Sequence, residues 1–252
     1  MEQSWLDYFR RNSWPAMPWD DPYRLTRDEI NAVAGSIQQF QLGEGSEGNA
    51  FVRRAARLGD DIDFVPTLRL FIQEEQRHSA SLARFLGLHG IPLLRKHWLD
   101  QVFRRIRRMA GLELIVTVLV SAEIVAVPYY RALHNATQSP LLRALCRQIL
   151  QDEAAHLQYQ AETLSRLRRS RSAIERALVE LFHALLLQGT VLTVWIEHRS
   201  VFLRGGYTLA KFHRESEEEL NTVQTAAYAY DSSSPMRMKA AWICNSNEGS
   251  LM

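Results

Sequence analysis

Glu75-Gln-Arg-His78 and Glu153-Ala-Ala-His156 repeat one pattern, each preceded by a second acid, Glu74 or Asp152, and each set in a long run with helical apolar spacing. Glu and His three apart on a helix differ by ~300° in azimuth and about one turn in height, so carboxylate and imidazole leave the same face side by side. Another Glu on an apolar helical run stands upstream of each pattern: Glu44 before the first, Glu123 before the second. Acids taken out of water are costly unless paired or bound to metal. The repeat therefore demands an all-α fold that gathers these side chains into a metal-ligating cluster.

The turns between the runs allow it. Glu44 and Glu75 are centred on the Gly59-Asp60 turn, and Glu123 and Glu153 are centred on Gln138, inside the Asn135 to Pro140 turn. If each pair straddles an antiparallel hairpin, its two acids lie level, ~20 Å from the turn at ~1.5 Å rise per residue. Glu47 shares the face of Glu44 and with Glu75 is also centred on the turn. Glu44 is preferred because its spacing matches the second hairpin better.

Residues 1–25, rich in Trp, Pro and Tyr without period, are expected to form an irregular arm laid over the helices. Thr26-Arg-Asp-Glu29 reads as a capping box opening a first helix that runs to about Leu58, interrupted by Gly43, Gly45 and Gly48. A second helix follows Asp63 and Pro66 and stops at His89-Gly90. A third spans about Trp98 to Leu133, with a hinge near Gly111. Ser139-Pro140 caps a fourth that reaches about Arg168. Further helices are expected over about 172–227, closing a domain at 26–228 whose core is 26–169, with a loose tail at 229–252.

Composition removes several classes of function. Cys146 and Cys244 are the only cysteines, which excludes a disulfide framework or thiolate metal site. The first residues lack the apolar stretch of a secretory leader, so a cytoplasmic protein is expected. Leu112 to Tyr130 is long enough to span a membrane but holds Glu113 and Glu123, and reads as a buried helix. With a net charge of +2, the arginine clusters at 104–108 and 166–171 read as solvated helix faces rather than a nucleic-acid surface. A homodimer is compatible with long helices that leave an apolar face.

Residues 26 to about 168 resemble the ferritin-like di-iron carboxylate superfamily, whose order of Glu, Glu-x-x-His, Glu, Glu-x-x-His falls on Glu44, Glu75/His78, Glu123 and Glu153/His156. The stretch Glu74-Glu75-Gln-Arg-His78 is similar to that of soluble acyl-carrier-protein desaturases. The resemblance implies an antiparallel four-helix bundle with additional C-terminal helices. It also implies two iron ions, or a Mn/Fe pair, bridged by Glu75 and Glu153, with Glu44 and Glu123 as terminal ligands. Asp152 would support His78 and Glu74 would support His156 from the opposite hairpin. Carboxylate oxygens with two imidazoles suit iron or manganese better than zinc or copper.

Departures narrow the implied activity. Leu82 stands where ribonucleotide reductase radical subunits carry Tyr, and Ile149 where arylamine N-oxygenases carry an additional His. Two cysteines cannot build the second iron centre of rubrerythrins, and the helices beyond 170 exceed what a ferritin cage subunit needs. What the resemblance then implies is an enzyme, an O2-activating oxidase, oxygenase or desaturase. It would act on a small or carrier-bound, acyl-type organic substrate with electrons from a separate donor. A ferroxidase or peroxidase, or a metal-binding bundle without organic substrate, stays open. Phe40, Phe71, Val116, Val120, Val127, Cys146 and Ile149 are candidates to line the site, and Tyr129, Tyr130, Tyr159 and Trp195 to carry electrons or gate it.

Overall fold

A computed structural model describes residues 3–45, 48–57, 62–96, 111–229 and 237–238. Among them are eight helices: α1 (Trp5–Arg11), α2 (Arg27–Glu44), α3 (Asn49–Ala55), α4 (Phe64–Leu88), α5 (Leu112–Ala136), α6 (Pro140–Arg168), α7 (Ala173–Arg204) and α8 (Leu209–Ala229). The only strand pairing among the described residues is a two-residue antiparallel contact of Gln3–Ser4 with Arg237–Met238. The fold is all-α. Glu47, the turn at 58–61, the arginine cluster at 104–108, the start of the expected third helix and Cys244 lie outside the described residues.

Local chemistry sets the helix starts. Thr26 Oγ1 accepts from the Glu29 amide while the Glu29 carboxylate accepts from the Thr26 amide, and Ser172 and Glu175 do the same at α7. Ser139 caps α6 ahead of Pro140, which lacks an N–H and loses nothing in the first turn. Asp63 stands at the N-cap of α4, but its side chain makes no capping hydrogen bond. Glu29 also accepts from Tyr23 Oη, the Gln138 amide and Thr137 Oγ1, stapling the start of α2 to the α5–α6 turn. Burial works against its ionisation, but these donors hold its carboxyl down to about 2.

Two expectations are corrected. The first helix does not run unbroken to about Leu58: α2 ends at Glu44, and α3 restarts at Asn49. The cause is Gly48, at φ 61 and so close to Ile72 that a Cβ there would overlap its side chain. Gly48→Ala should lower stability by about 2 kcal/mol, from left-handed strain and displacement of Ile72, read as a shifted midpoint in urea unfolding. The arm, expected to be irregular, contains α1, capped by Ser4 and buried through Trp5, Leu6 and Phe9.

α5 is the interior helix, with nearly its whole length buried and α6, α7 and α8 around it. Its first-turn acid, Glu113, is paired with Arg168 and Arg171. The run read as buried is so, although by length and composition α5 and α7 could each cross a membrane. α2 packs on α4, α4 on α6, and α1 on α4, so the arm lies over the second and fourth of these long segments. α7 bends at His198, whose Nδ1 lies 2.8 Å from Ser36 Oγ on α2. Gly205, just after α7, touches the α5 backbone at Ala132 where no side chain would fit.

Candidate metal centre

Four helices deliver the acids and imidazoles to one place. α2 contributes Glu44 from its last residue, α4 contributes Glu75 and His78, α5 Glu123, and α6 Glu153 and His156. Ligand atoms of Glu44, Glu75, His78 and Glu153 all lie within 4.8 Å of one another, and so do those of Glu75, Glu123, Glu153 and His156. Glu75 and Glu153 belong to both sets. His78 Nδ1 is 3.7 Å from Glu75 Oε1 and from Glu153 Oε1, and 3.9 Å from Glu44 Oε2. His156 Nδ1 is 3.0 Å from Glu75 Oε1 and 3.6 Å from Glu153 Oε2. Both imidazoles are fully buried, and Glu153 is 1% exposed.

The other ring nitrogens face away from the cluster and are held. His78 Nε2 lies 3.0 Å from Asp152 Oδ2, and His156 Nε2 lies 3.0 Å from Glu74 Oε2, each across to the opposite hairpin. A carboxylate on Nε2 keeps the proton there and leaves the Nδ1 lone pair aimed at the cluster.

The arm reinforces this support. Asn12 Nδ2 donates to both Glu74 (2.7 Å) and Asp152 (3.0 Å), and the Trp14 indole N–H donates to Asp152 at 2.7 Å while its ring stacks on His78. Arg77 pairs with Glu74 at 3.1 Å. Sequence reasoning missed Asn12 and Trp14, because no periodicity ties an irregular segment to a helical cluster. The density of tryptophan and proline there was the available signal.

Of the candidate lining residues, Phe71 packs edge-on against His156 at 4.7 Å, and Phe40 stacks on Tyr129. Val116, Val120, Val127, Cys146 and Ile149 are core. Tyr130 Oη donates to Glu44 Oε1 at 2.8 Å, and Gln160 donates to Glu123. Trp195 packs on Phe202 and Phe212, and Tyr159 sits among Trp5, Phe9 and Phe71.

Inside the cluster, Glu75 Oε1, His78 Nδ1, Glu123 Oε2, Glu153 Oε2 and His156 Nδ1 are buried without a hydrogen-bond partner. Buried polar atoms nearly always find partners, so five orphans converging on one spot need a counterpart. Hard oxygens and two imidazole nitrogens fit divalent cations such as iron or manganese.

Without metal, protons must take that place. Burial first, and then the neighbouring Glu44, push Glu75 up to about 8, and burial raises Glu123 well above the carboxylate range. His78 resists burial because Asp152 and Glu44 raise it to about 10. The folded chain thus holds a proton on Glu75 that the unfolded chain has released above about 4.5. Metal-free protein should lose stability, on the order of a few kcal/mol, as pH rises from about 4.5 to about 8. The His78 contribution, complete below about 6.5, is lost only as pH climbs towards about 10. Thermal melts at several pH values with and without a divalent cation check this. The melting temperature should fall with pH in chelator and hold or rise with metal, because deprotonated ligands bind more tightly.

No protein-family model, curated protein or solved structure matches the chain.

Proposed function

We propose that the chain is a ferritin-like di-iron oxidoreductase: α2, α4, α5 and α6 form its four-helix bundle, and Glu44, Glu75, His78, Glu123, Glu153 and His156 would hold two iron ions, or a Mn/Fe pair. The observation that carries this reading is the pair of overlapping ligand sets with orphaned, buried donor atoms. In it Glu44 and His78 complete one metal position, and Glu123 and His156 the other. A ferrous pair supplies two electrons to O2 when bound, which suits oxidation, oxygenation or desaturation of a small or carrier-bound organic substrate.

The residues of the chain supply the rest. Asp152 and Glu74 hold the imidazole protons away from the metal positions, and the Trp14 and Asn12 donors fix those two acids in turn. Phe71 and Phe9 shield His156 from water. Tyr130 orients Glu44 through its hydroxyl, and burial raises the pKa of that phenol well above its ordinary value, so it stays a hydrogen-bond donor.

Anaerobic loading with ferrous ion followed by O2 tests the proposal. Consumption of one O2 for each pair of irons, followed by turnover when an external electron donor and organic substrates are supplied, is the expected result. Turnover of ferrous ion alone, with ferric product accumulating, would replace this reading with a ferroxidase. Iron that binds but does not react with O2 would leave only a metal-binding bundle.

A further inference from the structure

α7 buries one face against α2, α5 and α8 and leaves the other open. Exposed positions on it recur at Glu175, Leu178, Phe182, Leu185, Gly189, Leu192, Ile196 and Arg199. The steps alternate between three and four, the spacing of a helix-packing seam. Leu178, Leu181, Phe182, Leu185, Leu192 and Ile196 are 48–63% exposed. Six large apolar side chains, each about half exposed or more, make a patch on the scale of the ~800 Å2 that each partner contributes to a standard protein interface. An exposed apolar patch of that size marks an interaction surface.

We infer that this face joins a second copy of the chain, α7 packing antiparallel on its counterpart about a two-fold axis near Leu187. Registers one heptad away also pair apolar positions, but this one sets opposite charges against each other at its ends. Ile196 falls level with Leu178 of the other copy, and Leu192 with Phe182. Gly189, around which a Cβ would meet nothing within 4 Å, falls level with Leu185, a small residue opposite a large one that permits close approach. At the two ends Glu175 comes towards Arg199, the first residue past the bend at His198, so opposite charges face one another there. A two-fold axis makes each of these contacts twice, as an isologous interface requires.

Sedimentation velocity of the full chain at micromolar concentration should give twice 29.0 kDa. Leu185→Glu should give a folded monomer with unchanged helix content and iron content, whose melting temperature no longer rises with protein concentration. Arg199→Glu should weaken dimerisation at least tenfold, and adding Glu175→Arg should restore it; melting of the single Glu175→Arg chain in the monomeric Leu185→Glu background reads the loss of the α7 capping box by itself. A wild-type monomer would overturn the inference. So would a monomer that co-sediments with phosphatidylcholine and phosphatidylglycerol vesicles, which would assign the face to a membrane surface. A dimer indifferent to Leu185→Glu, or a charge swap that fails to rescue, would equally overturn it.

Discussion

Glu153→Ala and Glu75→Ala should each reduce bound iron from two per chain to none, whereas Glu44→Ala and Glu123→Ala should each spare one ion. The asymmetry follows from the overlap: Glu75 and Glu153 are in both ligand sets, Glu44 and Glu123 in one each. Equilibrium dialysis against ferrous ion under anaerobic conditions, followed by metal analysis, reads the four stoichiometries. Equal losses in all four variants would break the assignment of shared and separate ligands, and two irons retained by Glu153→Ala would remove the site altogether. Stability should move in the opposite direction. Glu75, half-buried beside Glu44 and Glu153, has its carboxyl pushed up to about 8, so Glu75→Gln in chelator at pH ~8 should melt higher than the unaltered protein. Binding sites built from like charges are stabilised by what they bind, and the metal-free chain bears the repulsion.

Asp152→Ala should produce the largest loss of stability of any single change near the site, on the order of 3–5 kcal/mol. Asp152 is 1% exposed and accepts from Asn12, Trp14 and Gln148 as well as meeting His78, so its removal orphans several buried donors at once. Burial opposes its ionisation, but His78 holds its carboxyl well below the ordinary range. The attraction is therefore present from neutral pH down to strongly acidic solution and is lost as pH falls through that depressed value. Metal affinity should drop about 10–100-fold, because His78 loses the partner that fixes its tautomer. Urea unfolding of the metal-free variant and ferrous titration of the same sample give the two readings. Unchanged affinity in a properly folded Asp152→Ala protein would show that the His78 contact is packing alone. Trp14→Phe, which keeps the ring on His78 but removes one donor to Asp152, should cost far less in stability, about 1 kcal/mol.

The helical arrangement was legible where signals agreed: apolar spacing with a capping side chain at the starts of α2 and α6, and apolar spacing with a glycine stop after α4. Thr26 and Ser139 cap the helices they were expected to cap, Ser172 caps α7 in the same way, and Gly90 and Gly206 turn the chain after α4 and α7 with positive φ. Glu44 and Glu75 do come together, but the count from Glu44 to the turn crosses the break between α2 and α3, so rise per residue alone does not account for it. That break was half legible. The glycines signalled a local distortion, but whether the helix bends or stops depended on Ile72, a residue on another helix. The contacts of Asp152 with His78 and of Glu74 with His156 are those the resemblance implied for the acid before each Glu-x-x-His; spacing alone did not give them. Asn12 and Trp14 could not be read in this way. Their contacts cross long stretches of sequence from a segment with no repeat, and only the packing of α1 on α4 brings them to the acids. The open face of α7 was invisible for a similar reason: its sequence is apolar on most sides, and only the positions of α2, α5 and α8 reveal which side is left uncovered.

The most direct test of the central claim is Mössbauer spectroscopy of the full chain loaded anaerobically with 57Fe(II), with iron counted per chain on the same sample. Two ferrous ions per chain in oxygen- and nitrogen-rich sites, becoming a spin-coupled diferric pair on oxidation, is the predicted result, since ions sharing Glu75 and Glu153 must sense each other. One iron per chain, none, or two that remain magnetically independent after oxidation would contradict it.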